Sequence, residues 1–245
     1  MEQIRNMRNR HTIVATVLLV FLVACDAPSV RIGFVAGLTG PYADLGVDGR
    51  DAVLLAVAEV NAQGGIHGRP LEVVVRDAGT DELTCAAALE EVLSQGVVAV
   101  VGPMVSRHAR VTLAAMERHP QVLFFSPTMS TSLLSGRDDM FVRSISKATD
   151  QGGVLARYLH AQGDLQVVLV QDADNAEYTG DVVAAFWQAA HPVGISGPTL
   201  VYGKGDPLDV QRLAARIRAL NPDAVVLVTN SLHAAAIAQE LRKAG

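Results

Sequence analysis

Cysteine is scarce in this chain of 245 residues, with only Cys25 and Cys85 present. Two thiols cannot form the multi-bridge framework of a small disulfide-stapled domain. Positive charge is also in short supply: 20 Lys and Arg stand against 25 Asp and Glu, for a formal charge of -5. A nucleic-acid surface needs a basic patch or stripe, and this balance argues against one. Signatures of common chemistry are missing as well. Gly33, Gly37 and Gly40 lie in and after the first predicted strand, but their spacing does not fit the G-x-G-x-x-G of dinucleotide-binding loops. There is no Walker loop for phosphates, no G-x-S-x-G nucleophile elbow, and no zinc-type cluster among the seven histidines. Most of those histidines, including His67, His119 and His191, fall in turns or beside helix ends, where a solvated polar role suffices. No strand-exit loop pairs a nucleophile with a base. A cofactor, a metal and enzymatic chemistry are therefore not expected. Internal repeats and low-complexity segments are absent too.

What the chain does have is material for a core, being 50% hydrophobic and 18% charged, a globular composition. From Val30 onward, short β-branched runs alternate with amphipathic segments. Strands are predicted at Val30–Ala36, Leu71–Arg76, Val97–Val101, Val122–Phe125, Phe141–Ser144, Gln166–Gln171, Thr199–Tyr202 and Ala224–Thr229. Helices are predicted at Asp51–Asn61, Glu82–Gln95, Arg107–Arg118, Asp150–Gln162, Thr179–Ala190, Leu208–Leu220 and Leu232–Lys243. In the first helix Val53, Val57 and Val60 share one face, as packing on a sheet requires. This alternation implies βαβ units and an α/β fold with mainly parallel sheets flanked by helices. Right-handed crossovers then put the strand exits on one edge. The stretch Ser144 to Thr149 reads as a crossing between lobes, dividing the chain into residues 30–146 and 147–245.

Three early strands end in loops of glycine and hydroxyl residues: Gly37–Tyr42, Gly102–Ser106 and Ser126–Ser130. Ligands of open α/β sheets bind outside the carboxyl ends of the strands, so these loops predict a site for a small polar molecule. Ser106 stands just before a predicted helix, where its hydroxyl either caps the helix or joins the free amides in receiving a carboxylate. Cys85 shares helical spacing with Leu89 and Val92 and reads as a buried small hydrophobe. Asn61 to Gly68 reads as a helix stop, with Gly64 and Gly65 suited to left-handed geometry.

The N-terminus has Arg5, Arg8 and Arg10 against Glu2, then an apolar run from Ile13 to Ala24 broken only by Thr16. These are the n- and h-regions of an export signal, and the run is shorter than the ~20 residues of a spanning helix. It ends in Leu22-Val23-Ala24-Cys25, which resembles the bacterial lipoprotein signal. That resemblance implies cleavage after residue 24, lipidation of Cys25, a short tether over residues 25–29, and a location outside the cytoplasm. An ordinary signal peptide containing a cysteine, or an uncleaved anchor, are the alternatives. Asp26 fits the pattern associated with inner-membrane retention in some Gram-negative lipoproteins. Without residues 1–24 the chain keeps 17 basic and 24 acidic side chains, and Cys85 has no partner.

The order of motifs is itself distinctive: Arg31-Ile32-Gly33, Leu38-Thr39-Gly40-Pro41, Gly46, and Ala58-Glu59-Val60-Asn61-Ala62-Gln63-Gly64-Gly65-Ile66-His67-Gly68-Arg69-Pro70-Leu71. Asp77, Asp81, Val100-Val101-Gly102 with Ser106, Phe125-Ser126-Pro127-Thr128-Met129-Ser130, Asp150-Gln151-Gly152 and Tyr178-Thr179-Gly180 follow. The series resembles the type I periplasmic solute-binding proteins, especially those for branched-chain amino acids and amides. The resemblance implies a two-lobed clamp. Ser106 and Ser130 would hold the α-carboxylate of an amino acid, Thr128 and Ser130 its ammonium group, and Tyr178 would close over it from the second lobe. For Tyr178 a plain structural aromatic is the alternative.

Leu45 lies where the family often has an aromatic beside the ligand side chain. Arg107 and His108 stand where small polar residues are common. Arg107 reads as a solvated helix-start arginine, with a charge for an acidic ligand as the alternative. The implied function is an extracytoplasmic, lipid-anchored component of an ABC importer for amino acids, amides or similar molecules, working with permease subunits. A ligand-sensing domain of a signalling receptor is the competing reading. Family members continue past Gly245, so the resemblance implies an incomplete second lobe, with an acidic partner for the ligand ammonium and another second-lobe contact expected further on.

Overall fold

The computed structural model describes residues 28–243. The signal segment 1–24, Cys25 and Asp26 lie outside the described residues. In the first lobe the elements are β1 (Val30–Ala36), α1 (Ala43–Ala62), β2 (Leu71–Asp77), α2 (Glu82–Leu93), β3 (Ala99–Val101), α3 (Ala109–Arg118), β4 (Leu123–Ser126) and β5 (Phe141–Arg143). The five strands form one all-parallel sheet in the order β2-β1-β3-β4-β5. The second lobe contains α4 (Ala148–Gln162), β6 (Val167–Asp172), α5 (Ala176–Ala190), β7 (Thr199–Tyr202), α6 (Val210–Leu220), β8 (Ala224–Val228) and α7 (Ser231–Arg242). Its strands form a second parallel sheet, β7-β6-β8.

Both strand orders reverse direction once, and the reversal locates the crevice. In the first sheet the chain runs from β1 outward to β2 and then returns to the other side of β1 as β3. The loops leaving β1 and β3 therefore diverge, opening a cleft between them. The same reversal separates the loops leaving β6 and β8. Each lobe thus presents a cleft edge of strand exits.

Central strands are buried on both faces, as parallel sheets covered by helices require. In β1, Val35 packs with Leu89, Val92, Val100 and Phe124 under α2 and α3, whereas Phe34 packs on the other face with Met104 and Val53 of α1. In β6, Val167 and Leu169 meet Phe186 of α5, and Val168 and Val170 meet Leu213, Ile217 and Ile237 of α6 and α7. Cys85 is fully buried in the first of these cores, and burial pushes its thiol up to about 12. It is inert packing material, as its spacing implies.

Most predicted elements occur with ends displaced by a residue or two. The first helix differs more: it begins at Ala43, well before Asp51. Gly46 falls outside the predicted helix but lies within the observed one, and glycine is required there because a Cβ would sit 2.0 Å from the carbonyl oxygen of Gly37. Glycine lets the helix start press directly onto the β1 exit, which carries Asp44 and Leu45 to the cleft. At the other end Gly64 and Gly65 are left-handed, with φ of 97° and 74°. Asn61 does more than end the helix. Its amide donates to Leu71 O at 2.9 Å and accepts from Leu71 N at 2.8 Å, pinning α1 to the first residue of β2.

Candidate functional site

In the first lobe, the loops after β3 and β4 are stitched together by hydroxyls. Ser126 Oγ donates to Pro103 O at 2.7 Å and accepts from Met129 N at 3.1 Å. Thr128 Oγ1 donates to Met104 O at 2.6 Å. Ser106 Oγ accepts from both Ser130 N and Thr131 N, each at 3.3 Å. A hydroxyl has one donor and two acceptor positions. With both acceptor positions of Ser106 filled, its hydrogen is left for something in the cleft. Thr128 is the converse, since its hydrogen is spent on Met104 and an acceptor remains. One loop platform therefore offers a donor at Ser106 and an acceptor at Thr128.

This corrects the helix-cap reading of Ser106. The residue opens a short 3-10 turn, Ser106–His108, ahead of α3, and its hydroxyl serves the neighbouring loop instead of a helix amide. The amide of Arg107 is occupied too, donating to Asn175 Oδ1 of the second lobe at 2.9 Å. Arg107 is half-buried and bridging, not simply solvated: its guanidinium donates to Thr80 O at 2.6 Å and, through Nε at 2.8 Å, to Asp174 O. Both acceptors are distant in sequence, so the helical pattern around Arg107 carries no sign of them.

The second lobe adds Asn175, Tyr178 and Thr179 from the β6 exit and Thr229, Asn230 and Ser231 from the β8 exit. Tyr178 Oη donates to Gln151 Oε1 at 3.3 Å. Asn230 caps α7 by accepting from His233 N at 2.9 Å, and its Nδ2 lies 3.4 Å from Asp172 Oδ2. Ser231 Oγ donates to Asp44 Oδ2 across the cleft at 2.7 Å.

Between the lobes these groups enclose a cavity of about 310 Å³. Leu45, Ser106, Thr128, Ser130 and Tyr178, the five residues singled out from the sequence, all line it. So do Tyr42, Met104, Ile145 and Gln151. Thr229, Asn230 and Ser231 were missed, although they repeat the signal of a hydroxyl-bearing strand exit. Asp44 is the charged residue among the lining side chains, and it is engaged by Ser231. Burial, reinforced by the charge of Asp172, raises the Tyr42 hydroxyl far above its ordinary value. Burial raises Tyr178 as well. Both phenols therefore remain neutral donors, and Tyr42 uses its hydrogen on Asp172 Oδ2 at 3.1 Å. Apolar Leu45, Met104 and Ile145 complete the wall.

The arrangement suits a small molecule that carries both a hydrogen-bond acceptor and a donor, held by neutral dipoles. Among the described residues no group of three His, Cys, Asp or Glu is placed to hold a metal ion. Nor is any helix there long and apolar enough to cross a membrane.

Comparison with known proteins places the chain among solute-binding proteins in sequence and fold. The chain is 27% identical over 216 residues to the Leu/Ile/Val-binding protein BraC3 of Rhizobium johnstonii, covering 87% of this chain and 57% of that protein. It is 25% identical over 155 residues to the Leu/Ile/Val-binding protein of Escherichia coli (strain K12), covering 63% and 42%. The chain thus spans about half the length of these relatives. Among solved structures, the branched-chain amino acid transporter substrate binding protein LivJ of Streptococcus pneumoniae, in complex with isoleucine, superposes with a TM-score of 0.79. It has 26% identity and is matched over 89% of this chain and 62% of that one. The solute binding protein of an ABC transporter from Rhodopseudomonas palustris, in complex with 3,4-dihydroxy benzoic acid, shares the fold with a TM-score of 0.78 at 16% identity, covering 89% and 59%. Residues 29–245 match the periplasmic binding protein family, and the chain, with its two-lobed α/β fold, belongs to it.

Proposed function

We propose that this protein is the extracytoplasmic solute-binding component of an ABC importer, anchored through lipid on Cys25 and handing an amino acid, amide or similar small polar molecule to permease subunits. It is a binding protein and not an enzyme. The observation that carries this reading is the split of roles on the first-lobe platform, where Ser106 keeps a free donor and Thr128 a free acceptor. Ser106 and Ser130 would hold a carboxylate, Thr128 and Ser130 an ammonium group, and Tyr178 and Leu45 would wall the side chain. No lysine or arginine lines the cavity. That favours an overall neutral zwitterion, because a full buried charge facing no ligand would be costly. The cavity is at the small end of the ~300–1,000 Å³ that ligand pockets span.

Leu45 replaces an aromatic of the family pattern and widens that wall, so selectivity beyond leucine, isoleucine and valine is expected. Calorimetric titration against amino acids, amides and short carboxylates tests the reading. Binding of at least one zwitterion is expected. A flat response to the whole panel would overturn it.

A further inference from the structure

The lobes are bonded to each other directly, at points beside the ligand cavity. On one flank, Arg107 forks from the first lobe onto Asp174 O of the second, through Nε at 2.8 Å and through Nη2, while Nη1 anchors it to Thr80 O at 2.6 Å. Its backbone N–H adds the bond to Asn175 Oδ1. The guanidinium also sits over the Tyr42 ring, 5.7 Å from its centre. Tyr42 in turn reaches Asp172, a buried carboxylate of the second lobe. A second bridge lies close by on the same element, where Asp181 of α5 receives Ser132 N at 2.6 Å, Ser132 Oγ at 3.0 Å and Thr131 Oγ1 at 3.2 Å from the first lobe. Neither Arg107 nor Asp181 lines the cavity.

We infer that Arg107 and Asp181 are paired latches that set how firmly the two lobes stay together, leaving the choice of ligand to the cavity. The bonds are charge-assisted, the stronger kind of hydrogen bond, and Arg107 uses a planar fork to engage two acceptors at once. Because they join protein to protein, they contribute the same closing free energy whatever the cavity holds. Apparent ligand affinity is the intrinsic affinity scaled by the competent fraction. Weakening a latch therefore lowers every ligand affinity by one common factor. The affinity part of this inference rests on the solute-binding reading. The closure part does not.

The test reads each latch at the other one. Hydrogen exchange is followed at the Ser132 amide, which is bonded to Asp181, in Arg107→Ala, and at the Arg107 amide, which is bonded to Asn175, in Asp181→Ala. The full chain is used without added ligand. Each substitution is expected to speed exchange at the other latch about tenfold, the ratio for a net loss near 1.4 kcal/mol. Arg107→Lys, which keeps the charge but loses the fork, is expected to fall between wild type and Arg107→Ala. Titration of the same amino-acid panel is then expected to show one common loss of affinity. Exchange altered only at the substituted latch, or a loss that differs among ligands, overturns the pairing. If no panel member binds in any variant, exchange still decides the latch, and the failure belongs to the proposed function.

Discussion

The two halves of the cavity are built differently. In the first lobe, the hydroxyls of Ser106 and Thr128 are oriented by bonds within their own lobe, to the amides of Ser130 and Thr131 and to Met104 O. In the second lobe, Asn175 and Ser231 take their bonds from across the cleft, from Arg107 N and to Asp44. The first half is organised whether or not the lobes meet; these members of the second half acquire their partners only on closure. On the proposed solute-binding role, this asymmetry favours binding on the first lobe followed by hinge closure that brings up the second wall.

The comparison is most directly broken at Ser106. Ser106→Ala removes the free donor and leaves the buried amides of Ser130 and Thr131 without their acceptor, at ~1–3 kcal/mol for each unsatisfied group. Titration is expected to show a loss of affinity of roughly a hundredfold or more, with a lowered melting temperature. A drop of only a few fold would mean that the first half is not the organised one.

A comparable effect on stability is expected from His108, at the root of the same loop. Its ring is 1% exposed and neither nitrogen has a hydrogen-bond partner. Burial first, and then the charge of Arg107, push its pKa from 6.5 down to about 4, with Asp81 opposing. The folded state therefore resists a proton that the unfolded chain accepts. This stability is fully present above the unfolded value of 6.5 and is lost as pH falls toward 4. The loss amounts to ~3 kcal/mol at most. His108→Met, apolar and of similar bulk, is expected to flatten the denaturation profile across that window relative to wild type. Parallel profiles would show that His108 is not held neutral.

The smallest expected change is at Tyr178, in the second half. Its hydroxyl makes a long bond to Gln151, both residues being in the second lobe. Tyr178→Phe is expected to cost ~0.5–1.5 kcal/mol, or less than about tenfold in affinity. A larger loss by titration would place the phenol directly on the ligand and make the halves more alike.

Legibility followed sequence distance. The hydroxyl-rich exits of β1, β3 and β4 stood out because each is a short local pattern at a strand end. The β8 exit carries the same pattern in Thr229, Asn230 and Ser231, but it was overlooked because the second wall was sought beyond Gly245. Arg107 could not be read correctly at all. Its acceptors are 27 and 67 residues away, and nothing near it in the chain distinguishes a solvated arginine from a bridging one. His108 stood out only as a departure from the family pattern, since burial of a polar side chain after a strand exit depends on what packs over it from elsewhere.

Periodicity and turn chemistry are local, so they were enough to establish alternating strands and helices, parallel sheets and a cleft edge bearing serines and threonines. Whether a given hydroxyl donates or accepts, and whether an arginine faces water or the opposite lobe, depends on partners that only the folded chain brings within 3.5 Å. Hydrogen-bond roles are assigned by those non-local neighbours. That is why the serines of the cleft could be named from their order in the chain, while the free hydrogen on Ser106 and the bridge at Arg107 emerged only from the packing of one lobe against the other.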